Sequence, residues 1–342
     1  MTKLIEVPYV GALLIVDELP HLQLLNRSEA VRRPLSEEGS LLMRFLHKRL
    51  FSDLRFAGHV LPALLDRDSR SREYHQAAVE ALLPDYRAQG RVSDEDLAPL
   101  FDFVAGKLDA NAAAIATQQV LGRWFQPGYK ATQKTLDAAK RVDKWTLPLP
   151  RLGISALERA KALLYKTAGE DVRGLHATAV TVHHVIDALE RMRELAKSSP
   201  GATDINAPEL LEHVLRPPPT LLRICERQES FPFVDRPLPA GTVILIRMAK
   251  IHDESAEARK QGTDTVFLED EWSRCPARNG VRSLLMRVWE AQQAAKERVQ
   301  PTAGVVREPS VEQAPAAAIG TTQAKTRKRP RAQSGAQPAG RG

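Results

Sequence analysis

The residues with the clearest chemical potential sit in one short stretch, Trp272-Ser273-Arg274-Cys275-Pro276-Ala277-Arg278. The arginines on either side of Cys275 favour its thiolate, the form of cysteine that ligates metals and attacks electrophiles. Pro276 suits the first turn of a helix, where its missing N–H costs nothing. Apolar residues then recur at helical spacing: Val281, Leu284, Leu285, Val288 and Trp289. Cys275 is therefore expected in a loop at a helix N-terminus, where free N–H groups and the helix dipole stabilise negative sulfur. Taken alone, a single cysteine is more often a small core residue than a reactive one. The other cysteine is Cys225, and the two form neither a disulfide framework nor a CxxC pair, which implies a reducing, cytoplasmic setting.

A second group of chemically capable side chains lies on the longest periodic run, residues 174–197. At 100° per residue, Leu175, Thr178, Val182, Val185, Ile186, Leu189 and Met192 share one side, with His176, His183, Asp187, Glu190 and Glu194 opposite. Thr178 is a hydroxyl on the apolar side; it either bonds back to the preceding turn or reaches into a buried pocket. His183 and Asp187 are one turn apart, as metal ligands can be, but no other segment supplies a third ligand at comparable spacing. The polar stripe is expected to face solvent.

Those residues need elements to hold them. Helical patterning marks residues 41–50, 71–83, 93–108, 111–125, 132–145, 157–164, 174–197 and 208–216. Ser93 is placed as an N-cap, followed by acidic residues in the first turn. Residues 221–224 and 242–246 are β-type runs, joined through the turn residues Pro239, Ala240 and Gly241. Residues 7–16 read as a strand or a buried segment. The fold class is mainly α with a small β region.

Hydrophobic content of 43% over 342 residues supports a large core. The most apolar early run, residues 10–16, stops at Asp17 and is too short to cross a bilayer, so no membrane association is expected. The net charge of +7 is concentrated at one end: from Pro301 onward, seven basic residues stand against Glu308 and Glu312, a net +5. The remainder makes no electrostatic case for nucleic acid. Residues 299–342 are poor in large apolar side chains and are expected to form a disordered tail. The cluster Arg327-Lys328-Arg329-Pro330-Arg331 is the one place where nucleic acid or an anionic surface could be met. Residues 1–298 are expected to form a single domain.

From about residue 173 to 298 the sequence resembles the cytochrome P-450 family of haem-thiolate enzymes. The helix bearing Thr178 is similar to the family's distal helix, and Val214-Leu215-Arg216 followed by prolines to the end of its ExxR helix. Arg223 matches an arginine that pairs with a haem propionate. Pro239-Ala240-Gly241-Thr242-Val243 is similar to the family's PxGTxV turn, and Arg274-Cys275-Pro276-Ala277-Arg278 to its cysteine-ligand loop. The resemblance implies a P-450-like helical fold, shortened at the N-terminus and without the family's N-terminal sheet. It implies haem with Cys275 as axial iron ligand, and Thr178 as the hydrogen-bonding partner of dioxygen or peroxide. Arg223, Arg274 and Arg278 are implied as propionate partners and Arg216 as the ExxR arginine. The implied function is a monooxygenase- or peroxygenase-like oxidoreductase, using a redox partner or peroxide on a small hydrophobic substrate.

Three positions depart from the family's pattern. His213 stands where the ExxR glutamate falls, Ala177 stands where an acid precedes the distal threonine, and residues 267–273 contain no glycine. The first and third motivate a second expectation, a haem-free P-450-like binding or scaffold protein. The second makes peroxide use as natural an expectation as reductase-dependent chemistry.

Overall fold

The computed structural model describes residues 2–7, 11–33, 55–56, 59–62, 65–82, 91–143, 154–198, 207–254, 265–268 and 272–299. Met1–Val299 is one compact unit. The expected helix at 41–50, the acidic run Glu269-Asp270-Glu271 and the basic tail lie outside the described residues.

The chain starts with two antiparallel strands, β1 (Lys3–Val7) and β2 (Gly11–Val16), with Ile5 opposite Leu13. Along β2 the buried side chains alternate (Ala12, Leu14, Val16), as they do in a strand covered on one face. Helix α1 (Leu19–Arg27) carries a proline in its first turn and leads to β3 (Val31–Arg32). β4 (Arg55–Phe56) and β5 (His59–Val60) make a small separate ladder. β6 (Leu221–Cys225) and β7 (Val243–Ile246) are the antiparallel pair expected from sequence, with Leu222 opposite Leu245.

β2 joins β7 in parallel, Leu14 beside Ile244, and β3 joins β6, giving one sheet in the order β1-β2-β7-β6-β3. This corrects the expectation of a missing N-terminal sheet. Local patterning could not show it, because the paired strands come from opposite ends of the described chain. Leu14, Leu25, Val31, Ile244, Ile246 and Met248 form the core of this sheet region. Asp17, at the end of β2, is held by Arg247 and by Lys250 at 2.8 Å; Lys250 belongs to α10 (Met248–Glu254), which follows β7. Burial alone would raise the Asp17 pKa, but the hydrogen bonds from Lys250 and Arg247 outweigh it and hold the carboxyl well below its usual range.

The rest is helical: α2 (Arg70–Leu82), α3 (Asp94–Val104), α4 (Ala110–Phe125), α5 (Gln133–Asp143) and α6 (Ile154–Thr167). Ser93 caps α3 as expected: its hydroxyl accepts from the Asp96 amide at 3.3 Å, and the Asp96 carboxylate accepts from the Ser93 amide at 2.9 Å. Leu100, Phe103, Leu121, Trp124, Leu189 and Leu285 belong to the helical core. α9 (Ala207–Val214) and the long α11 (Arg278–Val299) complete it.

The expected long helix is continuous but not uniform. It begins as α7 (Val172–His176), passes through a π-helical turn at Ala177–Thr181, and continues as α8 (Val182–Ser198). Within the π turn, the Val182 amide reaches back to the Ala177 carbonyl, an i→i−5 bond that adds a residue to the turn. The Thr178 carbonyl accepts instead from the buried Gln118 side chain at 3.0 Å, and the same Nε2 donates to the Thr135 carbonyl at 3.1 Å. Near the end of α4 a glycine lets Tyr129 pack flush on the helix: a Cβ on Gly122 would meet the Tyr129 ring at 2.3 Å.

Candidate functional site

A cavity of about 310 Å³ lies where the helical core meets the sheet region. The π-helical turn and its flanks form one wall, with His176, Ala177, Val180 and Thr181 lining it. The cysteine loop forms another wall through Ser273, Arg274, Cys275, Pro276 and Ala277, and α2 contributes Arg72, His75, Gln76 and Val79.

Cys275 is half-buried on the cavity wall, three residues before α11, as its sequence context implied. Its amide donates to the Phe267 carbonyl at 2.8 Å. The neighbouring loop is pinned from α2: Arg72 Nη1 donates to the Trp272 carbonyl at 3.3 Å, and Gln76 Nε2 to the Arg274 carbonyl at 3.2 Å. Cys225 is different in kind. It is fully buried, donates to the Arg227 carbonyl at 3.0 Å, and burial pushes its pKa up to about 11. Such a thiol is inert.

Cations gather beside the cysteine loop. The guanidinium groups of Arg72, Arg33, Arg223 and Arg67 lie 4.9, 5.3, 5.3 and 5.7 Å from the centre of the Trp272 ring, within cation–π range. Arg33 lines the cavity, and its Nε is buried with no hydrogen-bond partner. Burial, then the charges of Arg223 and Arg72, push its pKa well below the usual arginine value. Burial also lowers Arg72, to about 10. Among the described lining residues there is no aspartate or glutamate. Asp66, which accepts from the Arg33 amide at 3.4 Å, acts favourably on both Arg33 and Arg72 but does not outweigh their burial, and this end of the cavity is suited to carboxylate groups.

The residues expected from sequence divide between cavity and scaffold. Arg223 is buried, with Nη2 donating to Ser273 Oγ at 3.1 Å and Nη1 to the Leu222 carbonyl at 2.9 Å. Arg274 lines the cavity, while its Nε donates to Glu80 at 3.2 Å; Arg278 donates to the same oxygen at 2.9 Å. Arg216 also lines the cavity, and its Nη1 donates to the Glu212 and Leu215 carbonyls, both at 2.9 Å, at the C-terminal end of α9.

Of the two fates open to Thr178, the structure shows the bond back to the preceding turn. The residue is fully buried away from the cavity wall, its hydroxyl donating to the Gly174 carbonyl at 2.8 Å. The hydroxyl on the wall is that of Thr181. The stripe expected to face solvent is corrected at its first residue: His176 lines the cavity, whereas Asp187, Glu190 and Glu194 are exposed; His184, outside that stripe, lines the cavity too. Arg33, Arg72, His176 and Thr181 were not identified from sequence. A hint lay in the stripe itself, where histidines without acids precede the acidic half.

Among the described residues no three His, Cys, Asp or Glu side chains converge on a common point. Cys275 would thus ligate a metal only within a cofactor that brings most of its own ligands. Haem fits the residues present: a thiol on one wall, apolar side chains around it, and buried guanidinium groups for two carboxylates.

No protein-family model matches the sequence and no curated protein sequence matches it. Solved structures do match in shape. A cytochrome P-450 OleT variant in complex with arachidonic acid aligns with TM-score 0.54 at 14% identity, over 86% of this chain and 82% of that one. A variant of cytochrome P-450 SP alpha gives 0.56 at 9%, over 86% and 85%. A zebra fish cytochrome P-450 with progesterone gives 0.55 at 12%, over 85% and 88%. The chain is mostly helical with a small mixed sheet, and its fold is that of the cytochromes P-450.

Proposed function

We propose that the cavity would hold haem, with Cys275 supplying its thiolate ligand, and that the protein is a monooxygenase- or peroxygenase-like oxidoreductase acting on a small hydrophobic substrate. The observation that carries this reading is the pairing of Cys275 with an acid-free, arginine-rimmed cavity. A haem ligated by thiolate supplies oxidative chemistry, because the sulfur donates electron density that favours O–O cleavage.

The chain's own residues divide the remaining work. Arg33 and Arg72, with Arg223 behind them, would bind the cofactor's carboxylates by charge-assisted hydrogen bonds. Glu80 orients Arg274 and Arg278 and so steadies the loop on either side of Cys275. Val79, Val180, Val185 and Leu215 would keep water from the substrate's apolar body. The arachidonic acid and progesterone named with two structural neighbours support a hydrophobic substrate class. Among the described residues no helix is long and apolar enough to cross a membrane.

Titration of haem-depleted protein with haem tests the cofactor assignment. Stoichiometric uptake is expected in the wild type. Arg33→Ala should weaken it about tenfold, the equivalent of one charge-assisted hydrogen bond at ~1.5 kcal/mol. Arg141→Ala, on α5, should leave it unchanged. Failure of the wild-type protein to take up haem overturns the reading.

A further inference from the structure

The helical wall carries a titratable group that the proposed cofactor site does not use. His176 ends α7 where the π turn begins, and it shares the cavity with Cys275. Its Nδ1 is buried and has no hydrogen-bond partner, so no neighbour commits the ring's proton to one nitrogen. The position one residue on, where the family's pattern has an acid, is Ala177, and the Thr178 hydroxyl is spent on the Gly174 carbonyl.

We propose that the His176 imidazole is the proton acceptor of this cavity, taking the proton from a small acidic ligand, a hydroperoxide in turnover, as that ligand enters the space it shares with Cys275. The reading rests on the haem assignment above. In the step itself, the ligand's O–H bond breaks, the proton passes to a ring nitrogen of His176, and the bonding pair stays on oxygen. Nothing is oxidised or reduced in that transfer, and the same proton can be returned to the leaving oxygen.

The charges around the ring suit this role. His184 and Arg173 lie on its own helix, with Arg173 bound to Asp171 through both oxygens (2.9 and 2.6 Å). His75 and Arg72 face the cavity from α2, Arg33 from beyond β3, and Arg274 from the cysteine loop. Burial, then the charges of His184 and Arg33, lower the His176 pKa to about 4. The ring is therefore neutral and able to accept a proton at ordinary pH. A carboxylate seated on Arg33 would offset part of that repulsion and raise the pKa towards the working range.

Hydrogen cyanide tests the transfer without turnover. It binds ferric haem as cyanide after losing its proton, so a base in the cavity accelerates association. With haem-loaded protein at pH 7, stopped-flow should show the cyanide association rate falling tenfold or more in His176→Ala. His176→Gln keeps the side chain's bulk but cannot take a proton, and it should fall comparably. His183→Ala, on the same helix but off the cavity wall, should match wild type. Lowering the pH through the His176 pKa should slow association in wild type only. An unchanged rate in haem-loaded His176→Gln overturns the inference alone. A wild-type protein without a haem spectrum overturns it together with the cofactor assignment.

Discussion

The two regions that meet at the cavity are held together by different means. The helical region is a large apolar core that contains a buried polar knot: Gln118, between Thr135 and the Thr178 carbonyl. The knot meets the π turn at the Thr178 carbonyl. The sheet region is smaller and draws its strands from both ends of the described chain. It is clamped at its margin by charge, through Asp17 with Arg247 and Lys250, and it brings Arg33 to the cavity and Arg223 to the Trp272 ring behind it. In the proposed reading, the helical side supplies the proton acceptor, and Arg33 from the sheet side joins Arg72 from α2 in meeting carboxylates.

That contrast can be broken first on the helical side. Gly122→Val forces a branched side chain into the Tyr129 ring and should cost about 3 kcal/mol, overpacking at the upper end of its usual range, read from denaturant unfolding. Gln118→Ala leaves the Thr135 hydroxyl and the Thr178 carbonyl short of a partner and should cost about 2 kcal/mol. If the knot governs the π turn, this change should also alter the cavity wall, seen as altered exchange of the amides at 177–181.

On the sheet side, Asp17→Asn should cost about 1–2 kcal/mol at pH 7, less than a fully buried pair, because Arg247 and Lys250 are 44% and 35% exposed. The sign of its pH dependence follows from the depressed carboxyl pKa. The stabilisation is complete above the unfolded value near 3.8 and is lost as pH falls through the lower folded value. Wild type should lose more stability than Asp17→Asn below about pH 4. The smallest effect is expected at the cysteine loop. Glu80→Gln should cost about 0.5–1 kcal/mol, and release of Arg274 should loosen haem retention more than it lowers the unfolding midpoint.

The helices were legible because their apolar period is local. Ser93, with Asp96 three residues on, carries a capping signal that needs no tertiary partner. Cys275 was legible for the same reason, since its arginines, its proline and the following helix are consecutive. The pairing of β2 with β7 was not, because nothing in residues 11–16 announces residues 243–246. Arg33 was illegible too, its importance arising only where Arg72, Arg223 and Trp272 converge on it. At Thr178 the 100° step did place the hydroxyl on the buried side with Leu175, Val182 and Leu189, and of the two fates open to it the structure shows the bond back to Gly174; the π turn at 177–181 was not legible. A π turn has no sequence period of its own.

The most direct test of the haem-thiolate reading is the absorption spectrum of the reduced protein under carbon monoxide, for wild type and Cys275→Ala, both expressed with ample haem precursor. Wild type should show the red-shifted Soret band of a thiolate-ligated haem, and Cys275→Ala should lack it while Cys225→Ala retains it. A colourless wild-type protein, or a thiolate-type band that survives in Cys275→Ala, would contradict it.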